Sequence, residues 1–68
     1  RTSLDDTNIY VVSCALRDIS NLSYLIADAE IQQRGVVFIL AGIRGTEREK
    51  SVVSKLYAAG ASAVEVLS

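Results

Sequence analysis

The apolar run from Gly35 to Gly42 is the feature that most constrains how this chain folds. Alternate positions between Val36 and Leu40 are all apolar, so a strand formed there is suited to burial on both of its faces. Strands of this kind are typical of the interior of parallel sheets that helices cover. The run therefore predicts the central strand of an α/β sheet.

Length and charge limit what the chain can be. Its 68 residues allow one small domain, which buries a smaller share of its surface than an average domain. A net charge of −1 without a basic cluster argues against binding to nucleic acid or to an anionic membrane surface. The longest apolar run is far too short to span a membrane. We expect protein or small-molecule partners instead.

Cysteine usage and the start of the sequence bear on its origin. A single cysteine, Cys14, cannot form an internal disulfide, the usual staple of small secreted domains. We therefore expect a reducing compartment and a cytoplasmic location. The sequence has no methionine and starts at Arg1-Thr2-Ser3, so we interpret residues 1–68 as a single small α/β domain, a fragment or a processed subunit.

The first half of the chain predicts a strand and a helix. After a polar leader, 1–8, the β-branched and aromatic run Ile9 to Val12 predicts the first strand. Apolar residues at helical spacing then predict a helix of roughly 14 residues. Asp18 or Ser20 is expected to cap its start, and Gly35 to end it in a left-handed conformation.

The second half predicts another helix and strand. Thr46 to Glu49 fits the capping box, in which a threonine hydroxyl and a glutamate carboxylate reciprocally satisfy backbone amides. The helix that starts there is expected to end at Gly60. Ala63 to Leu67 predicts the third strand.

The β-α-β-α-β order predicts a flavodoxin-like unit of two or three layers with a parallel three-stranded sheet and right-handed crossovers. The predicted core comprises Val11, Leu22, Ile26, Val37, Ile39, Val53, Leu56 and Val64. Two helices cannot cover both faces of three strands, so an apolar face is expected to remain open. We expect another protein chain, the rest of a parent chain or a second copy to cover it, in a homo- or hetero-oligomer.

Parallel sheets of this type bind ligands outside the carboxyl ends of their strands. The segments that follow the predicted strands are Ser13 to Asp18, Ala41 to Thr46 and Leu67-Ser68. The second is the best candidate, because Gly42 and Gly45 allow a ligand to approach the backbone and a helix N-terminus follows.

Two interpretations of this loop stay open. Arg44 could contact a phosphate or carboxylate, or it could be a solvated loop charge. Glu47 and Glu49 already occupy the first turn of the next helix and would repel an anion, which favours a plain turn between strand and helix.

No catalytic or metal-ligating set is predicted. The chain contains no histidine, so Ser13 and Cys14 lack the usual general base. We interpret Cys14 as a buried thiol, Ser13 as a capping or hydrogen-bonding group, and Asp18 as a helix cap. We expect no catalytic activity from the 68-residue chain alone.

Four short segments have the order and spacing of a known family. They are Ser13-Cys14-Ala15-Leu16, Gln33-Arg34-Gly35, Leu40-Ala41-Gly42 and Ala58-Ala59-Gly60-Ala61. Together they resemble the second half of the cobalamin-binding domain found in methylmalonyl-CoA mutase and methionine synthase. The resemblance covers Ile9 to Leu67 and implies a ligand-binding or assembly module of a larger enzyme.

The same resemblance implies where a cofactor would lie. Residues that match its strand ends, Ser13, Ala41 and Gly42, would line the nucleotide tail of cobalamin. With the two polar or flexible positions of the loop added, the predicted cofactor-binding residues are Ser13, Ala41, Gly42, Arg44 and Gly45. Ala41 replaces one glycine of the family's Gly-Gly pair, and the cobalt-ligating histidine has no counterpart. A truncated or cofactor-free relative is equally consistent.

The strand end Leu40-Ala41-Gly42 also resembles that of STAS regulatory domains. Asp18-Ile19-Ser20-Asn21 stands near the place of that family's phosphorylatable Asp-Ser-Ser-Gly motif. This second resemblance implies a regulatory domain that binds a protein through its first helix, with Ser20 or Ser23 as the switch. A structural subdomain of a larger enzyme is the third possibility.

Overall fold

The computed structural model describes residues 6–14 and 22–67. They form an all-parallel three-stranded sheet with two helices, in the spatial order β1-β2-β3. The elements are β1 (Thr7–Ser13), α1 (Ser23–Ile31), β2 (Gly35–Ala41), α2 (Arg48–Ala59) and β3 (Ala63–Val66). This β-α-β-α-β arrangement confirms the predicted α/β class and is consistent with a flavodoxin-like unit. Strand β1 begins at Thr7, inside the predicted polar leader.

The pairing register sorts the strand residues onto two faces. Thr7 pairs with Gly35 and Ser13 with Ala41, while Val37 pairs with Ala63 on the other side of β2. Because side chains alternate along a strand, neighbouring strands present the same set of positions to each face. The covered face comprises Asn8, Tyr10, Val12, Val36, Phe38, Leu40, Val64 and Val66. The open face comprises Thr7, Ile9, Val11, Ser13, Gly35, Val37, Ile39, Ala41, Ala63 and Glu65.

Both helices pack against the covered face. Phe38 and Leu40 are 0% exposed, and Tyr10 stacks on Phe38 with ring centroids 5.6 Å apart. Helix α1 contributes Ile26 and Ala29 to this core, and α2 contributes Val52 and Leu56. The unit therefore has two layers, one of helices and one of strands.

The predicted core is right for α1 and for Leu56, but wrong at Val53, which is half-buried while its neighbour Val52 packs in the core, and partly wrong for the sheet. Ile26 and Leu56 are buried, whereas Val37 and Ile39 are only half-buried on the open face. Val11 is 73% exposed, so its place in the predicted core is wrong. The reason is topological: β1, β2 and β3 are neighbours in chain order, and connections of one hand place both helices on the same side.

The C-terminus of α1 differs from the sequence prediction, whereas that of α2 agrees with it. In α1, Gln33 takes the left-handed conformation (φ 61°), and Gly35 starts β2, so the predicted terminating role of Gly35 is wrong. The amide of Arg34 donates to the Ala29 carbonyl at 2.9 Å, which completes a Schellman closure. Gly60 ends α2 with φ 114°, as predicted. The predicted caps of α1, Asp18 and Ser20, lie outside the described residues.

The contrast between the two faces predicts different mutational costs. Phe38→Ala should lower the free energy of unfolding by about 3–5 kcal/mol, because it empties the centre of the core. Val11→Ala, on the open face, should cost about 1 kcal/mol or less. Urea unfolding of the two variants measures the difference. Equal costs would contradict the assignment of covered and open faces.

Candidate functional site

The carboxyl ends of the strands meet at one edge of the sheet, as expected for parallel pairing. Ser13 and Ala41 are register partners, and Gly42 follows directly. The Cys14 amide donates to the Ala41 carbonyl at 2.7 Å, and the Leu67 amide donates to the Leu40 carbonyl at 2.8 Å. The structure thus brings the predicted residues Ser13, Ala41 and Gly42 together.

The turn between β2 and α2 is anchored by a residue that the sequence patterns did not single out. Ile43 is 1% exposed and belongs to the core, while its neighbours Gly42 and Arg44 are exposed. Gly42 and Gly45 have φ values of 97° and 81°, a region that favours glycine. Both glycines are therefore needed by the turn itself, whatever else approaches it.

The start of α2 uses its polar residues differently from the predicted capping box. The Thr46 hydroxyl donates to the Ile43 carbonyl at 2.6 Å, so it does not cap the helix. The Glu49 carboxylate does reach back, but it accepts from the Gly45 amide at 2.8 Å. The reciprocal hydrogen bonds of the predicted capping box are therefore wrong, because the Thr46 hydroxyl bonds within the preceding turn. A carboxylate of the chain itself occupies the position that an anion would take.

Two arginines tie this edge to the outer strands. Arg44 Nη1 lies 3.4 Å from the Val66 carbonyl that it faces, at the end of β3. Arg48 Nη1 donates to the Cys14 carbonyl at 3.3 Å, directly after β1. Glu47 and Glu49 balance these two positive charges. Within residues 42–49 these four charges sum to zero, so the described loop has no excess of positive charge to attract an anion.

Cys14 lies beneath this edge. Its side chain is 0% exposed, and its thiol donates to the Val12 carbonyl with a sulfur–oxygen distance of 3.6 Å. This confirms the interpretation of Cys14 as a buried thiol. Asp18, the acid considered beside it, lies outside the described residues.

The exposed residues directly at the ends of β1 and β2 are small. Ser13 is exposed, Ala41 is half-buried, and both lie on the open face, next to exposed Gly42. Because Ser13 and Ala41 are register partners, the described residues at the ends of β1 and β2 present small side chains to the open face. Gly45 also has free space where a side chain would be.

The opposite edge of the sheet is closed by hydrogen bonds. Arg34 Nε donates to Asn8 Oδ1 at 2.6 Å, and Arg34 Nη2 reaches the Thr7 carbonyl at 3.4 Å. Asn8 Nδ2 donates to Gln32 Oε1 at 3.3 Å. These bonds fix the connection between α1 and β2 onto β1. The polar side chains at this edge are thus used in hydrogen bonds that stabilise the fold.

Within residues 6–14 and 22–67, no cluster of three or more histidine, cysteine, aspartate or glutamate side chains is placed to hold a metal ion. The helices of that same part are too short or too polar to cross a membrane. Comparison with family models, curated proteins and solved structures found no match to this chain.

The hydrogen bond from Gly45 to Glu49 predicts a specific stability difference. Glu49→Ala should lower the free energy of unfolding more than Glu47→Ala, by about 0.5–1.5 kcal/mol, because only Glu49 accepts a backbone hydrogen bond. Both variants lose one negative charge near the start of α2, so their dipole terms match. Denaturant midpoints measure the difference, and equal effects would show that the bond does not stabilise the turn.

Proposed function

We propose that this chain is an assembly module whose open sheet face is covered by another protein element. The observation that carries the proposal is the exposure of Ile9 (49%) and Val11 (73%), next to half-buried Val37 and Ile39. These side chains are contiguous, because Ile9 pairs with Val37 and Val11 with Ile39. A contiguous apolar patch of this kind marks an interaction surface more often than isolated exposed residues do.

The free energy available on this face supports the proposal. Removal of apolar surface from water stabilises by about 25 cal/mol per Å². Parallel sheets usually bury apolar side chains on both faces. In this sheet the chain's own helices cover only one face. A partner on the open face would give the sheet the environment that parallel strands usually have.

A second candidate function is ligand binding at the carboxyl edge, the role that the cobalamin-domain resemblance implies. The adjacency of Ser13, Ala41 and Gly42 favours it, since small side chains leave room for a nucleotide-like tail. Arg44 is exposed beside them. The chain has no histidine for cobalt, so any such ligand would be held through its tail alone.

A third candidate is the regulatory role that the STAS resemblance implies, with binding through α1. Tyr24 (59%) and Ile31 (82%) are exposed and seven positions apart on that helix, so they share a face. Ser23, one of the two switch positions, is exposed, and Ser20 lies outside the described residues.

A matched pair of substitutions separates the first and third candidates. Val11→Ser should reduce binding of a hydrophobic dye, and any weak self-association at high concentration, because it places a hydroxyl in the apolar row that β1 contributes to the open face. Ile31→Ser should leave both unchanged, since that residue is on α1. Sedimentation velocity and dye fluorescence are the measurements, with circular dichroism to verify folding.

The opposite result would favour α1. If Ile31→Ser removes association and dye binding while Val11→Ser leaves them intact, α1 is the interaction surface. If neither the parent chain nor either variant associates or binds dye, the assembly function is wrong.

Ligand binding at the carboxyl edge has its own test. Titration of the isotope-labelled chain with a corrinoid or with a nucleotide should shift the amides of Ser13, Gly42 and Arg44. Shifts confined to the opposite edge, near Asn8, Gly35 and Ala61, would contradict this location. Turnover of a substrate by the chain alone would contradict the expected lack of activity.

A further inference from the structure

We propose that the element covering the open face is an amphipathic helix of a partner polypeptide, with a lysine or arginine opposite Glu65. This inference rests on the proposed assembly function and specifies the partner. It is carried by the distribution of charge and apolar surface across the open face, and by the dimensions of that face.

The open face is asymmetric. Its β1 and β2 positions are apolar from Ile9 to Val11 and from Val37 to Ile39. On β3, the corresponding row ends in Glu65, which pairs with Ile39 in the register and is exposed. Within the described part of the chain, no hydrogen bond or ion pair of the Glu65 side chain is found. The face therefore presents an apolar strip with a single negative charge along one side.

The width of the apolar strip fits one helix. Two neighbouring strands lie about 4.8 Å apart, so the strip over β1 and β2 is about 10 Å wide including side chains. An α-helix with its side chains has a diameter of about 10–12 Å. A helix laid over β1 and β2 thus has one flank above β3, where a basic side chain would meet Glu65.

Charge argues against a second copy of this chain as the occupant. With a twofold axis along the strands, β3 of one copy lies over β1 of the other, which brings Glu65 against the apolar row of Val11. With the axis across the strands, β3 lies over β3, which brings Glu65 of one copy against Ala63 or Glu65 of the other. The described residues of the open face include no basic side chain that could compensate either arrangement. Burial of an unpaired carboxylate is costly.

The area of the face argues the same way. Three strands of about five residues span roughly 14 by 16 Å, on the order of 230 Å². A stable interface between separate proteins buries about 800 Å² on each partner. The flat footprint of the face is well below that area, which argues against a stable dimer through this face alone and in favour of an occupant that further contacts hold in place.

The test supplies such a helix through a tether. A designed amphipathic helix of about 14 residues, with leucine on one face, is fused to the end of the 68-residue chain by a Gly-Ser linker. A linker of about 15 residues spans roughly 20 Å and reaches the open face. One version carries lysines along one flank, and the other carries glutamates there. Each is placed on the native chain, on Glu65→Lys and on the control Asp28→Lys, whose position is exposed on α1.

The lysine helix should dock on the native chain about two- to fivefold more favourably than the glutamate helix, the range of a solvent-accessible ion pair. The order should reverse on Glu65→Lys and persist on Asp28→Lys. Docking is measured by methyl shifts of Ile9, Val11, Val37 and Ile39, and by the denaturant midpoint.

Each contrary outcome identifies what fails. Equal docking of both helices would overturn the proposal that a basic side chain of the partner lies opposite Glu65. Failure of both helices, with an association that Val11→Ser abolishes, would overturn the helical occupant and leave the assembly function standing. Failure of both helices in a chain whose association and dye binding do not depend on Val11 would overturn the assembly function as well.

Discussion

The parallel pairing of three strands in chain order is the constraint on which the rest of this structure depends. Because β2 lies between β1 and β3, two connections of the same hand bring both helices to one side of the sheet. That side becomes a core centred on Phe38 and Leu40. The other side keeps its apolar residues without a cover from either helix. The core and the candidate interaction surface are thus two results of one topology.

The order of the elements could be predicted from the sequence. Which face of β2 the helices cover could not be predicted from β2 alone. All positions from Val36 to Leu40 are apolar, so their pattern favours neither face. The outer strands held the missing signal. Ser13 and Glu65 share a face with Ile39, whereas Val12 and Val66 share one with Leu40. Charged Glu65 on β3 therefore marks the face that the helices leave open, whereas β1 has a polar residue on each face, Asn8 and Ser13.

The candidate site shows where local patterns stop being sufficient. Gly60 ends α2 as predicted, yet at α1 a glutamine, Gln33, takes the left-handed position because the chain must enter β2 directly. The pattern of Thr46 and Glu49 predicted approximately where α2 starts, but not the hydrogen bonds that form there. Ile43 is buried in the core, and its carbonyl accepts the hydrogen bond from the Thr46 hydroxyl. The bond from Arg48 to the Cys14 carbonyl joins residues far apart in sequence, so no local pattern reveals it.

The central claim, that helices cover one face of the sheet and leave the other open, is tested most directly by a soluble paramagnetic probe. In a dilute sample of the chain, the methyl groups of Val11, Val37 and Ile39 should relax much faster when the probe is added. Those of Ile26, Val36 and Leu40 should be protected, because they lie between the sheet and the helices. Equal protection of the two sets in a monomer, or faster relaxation of the second set, would contradict the claim.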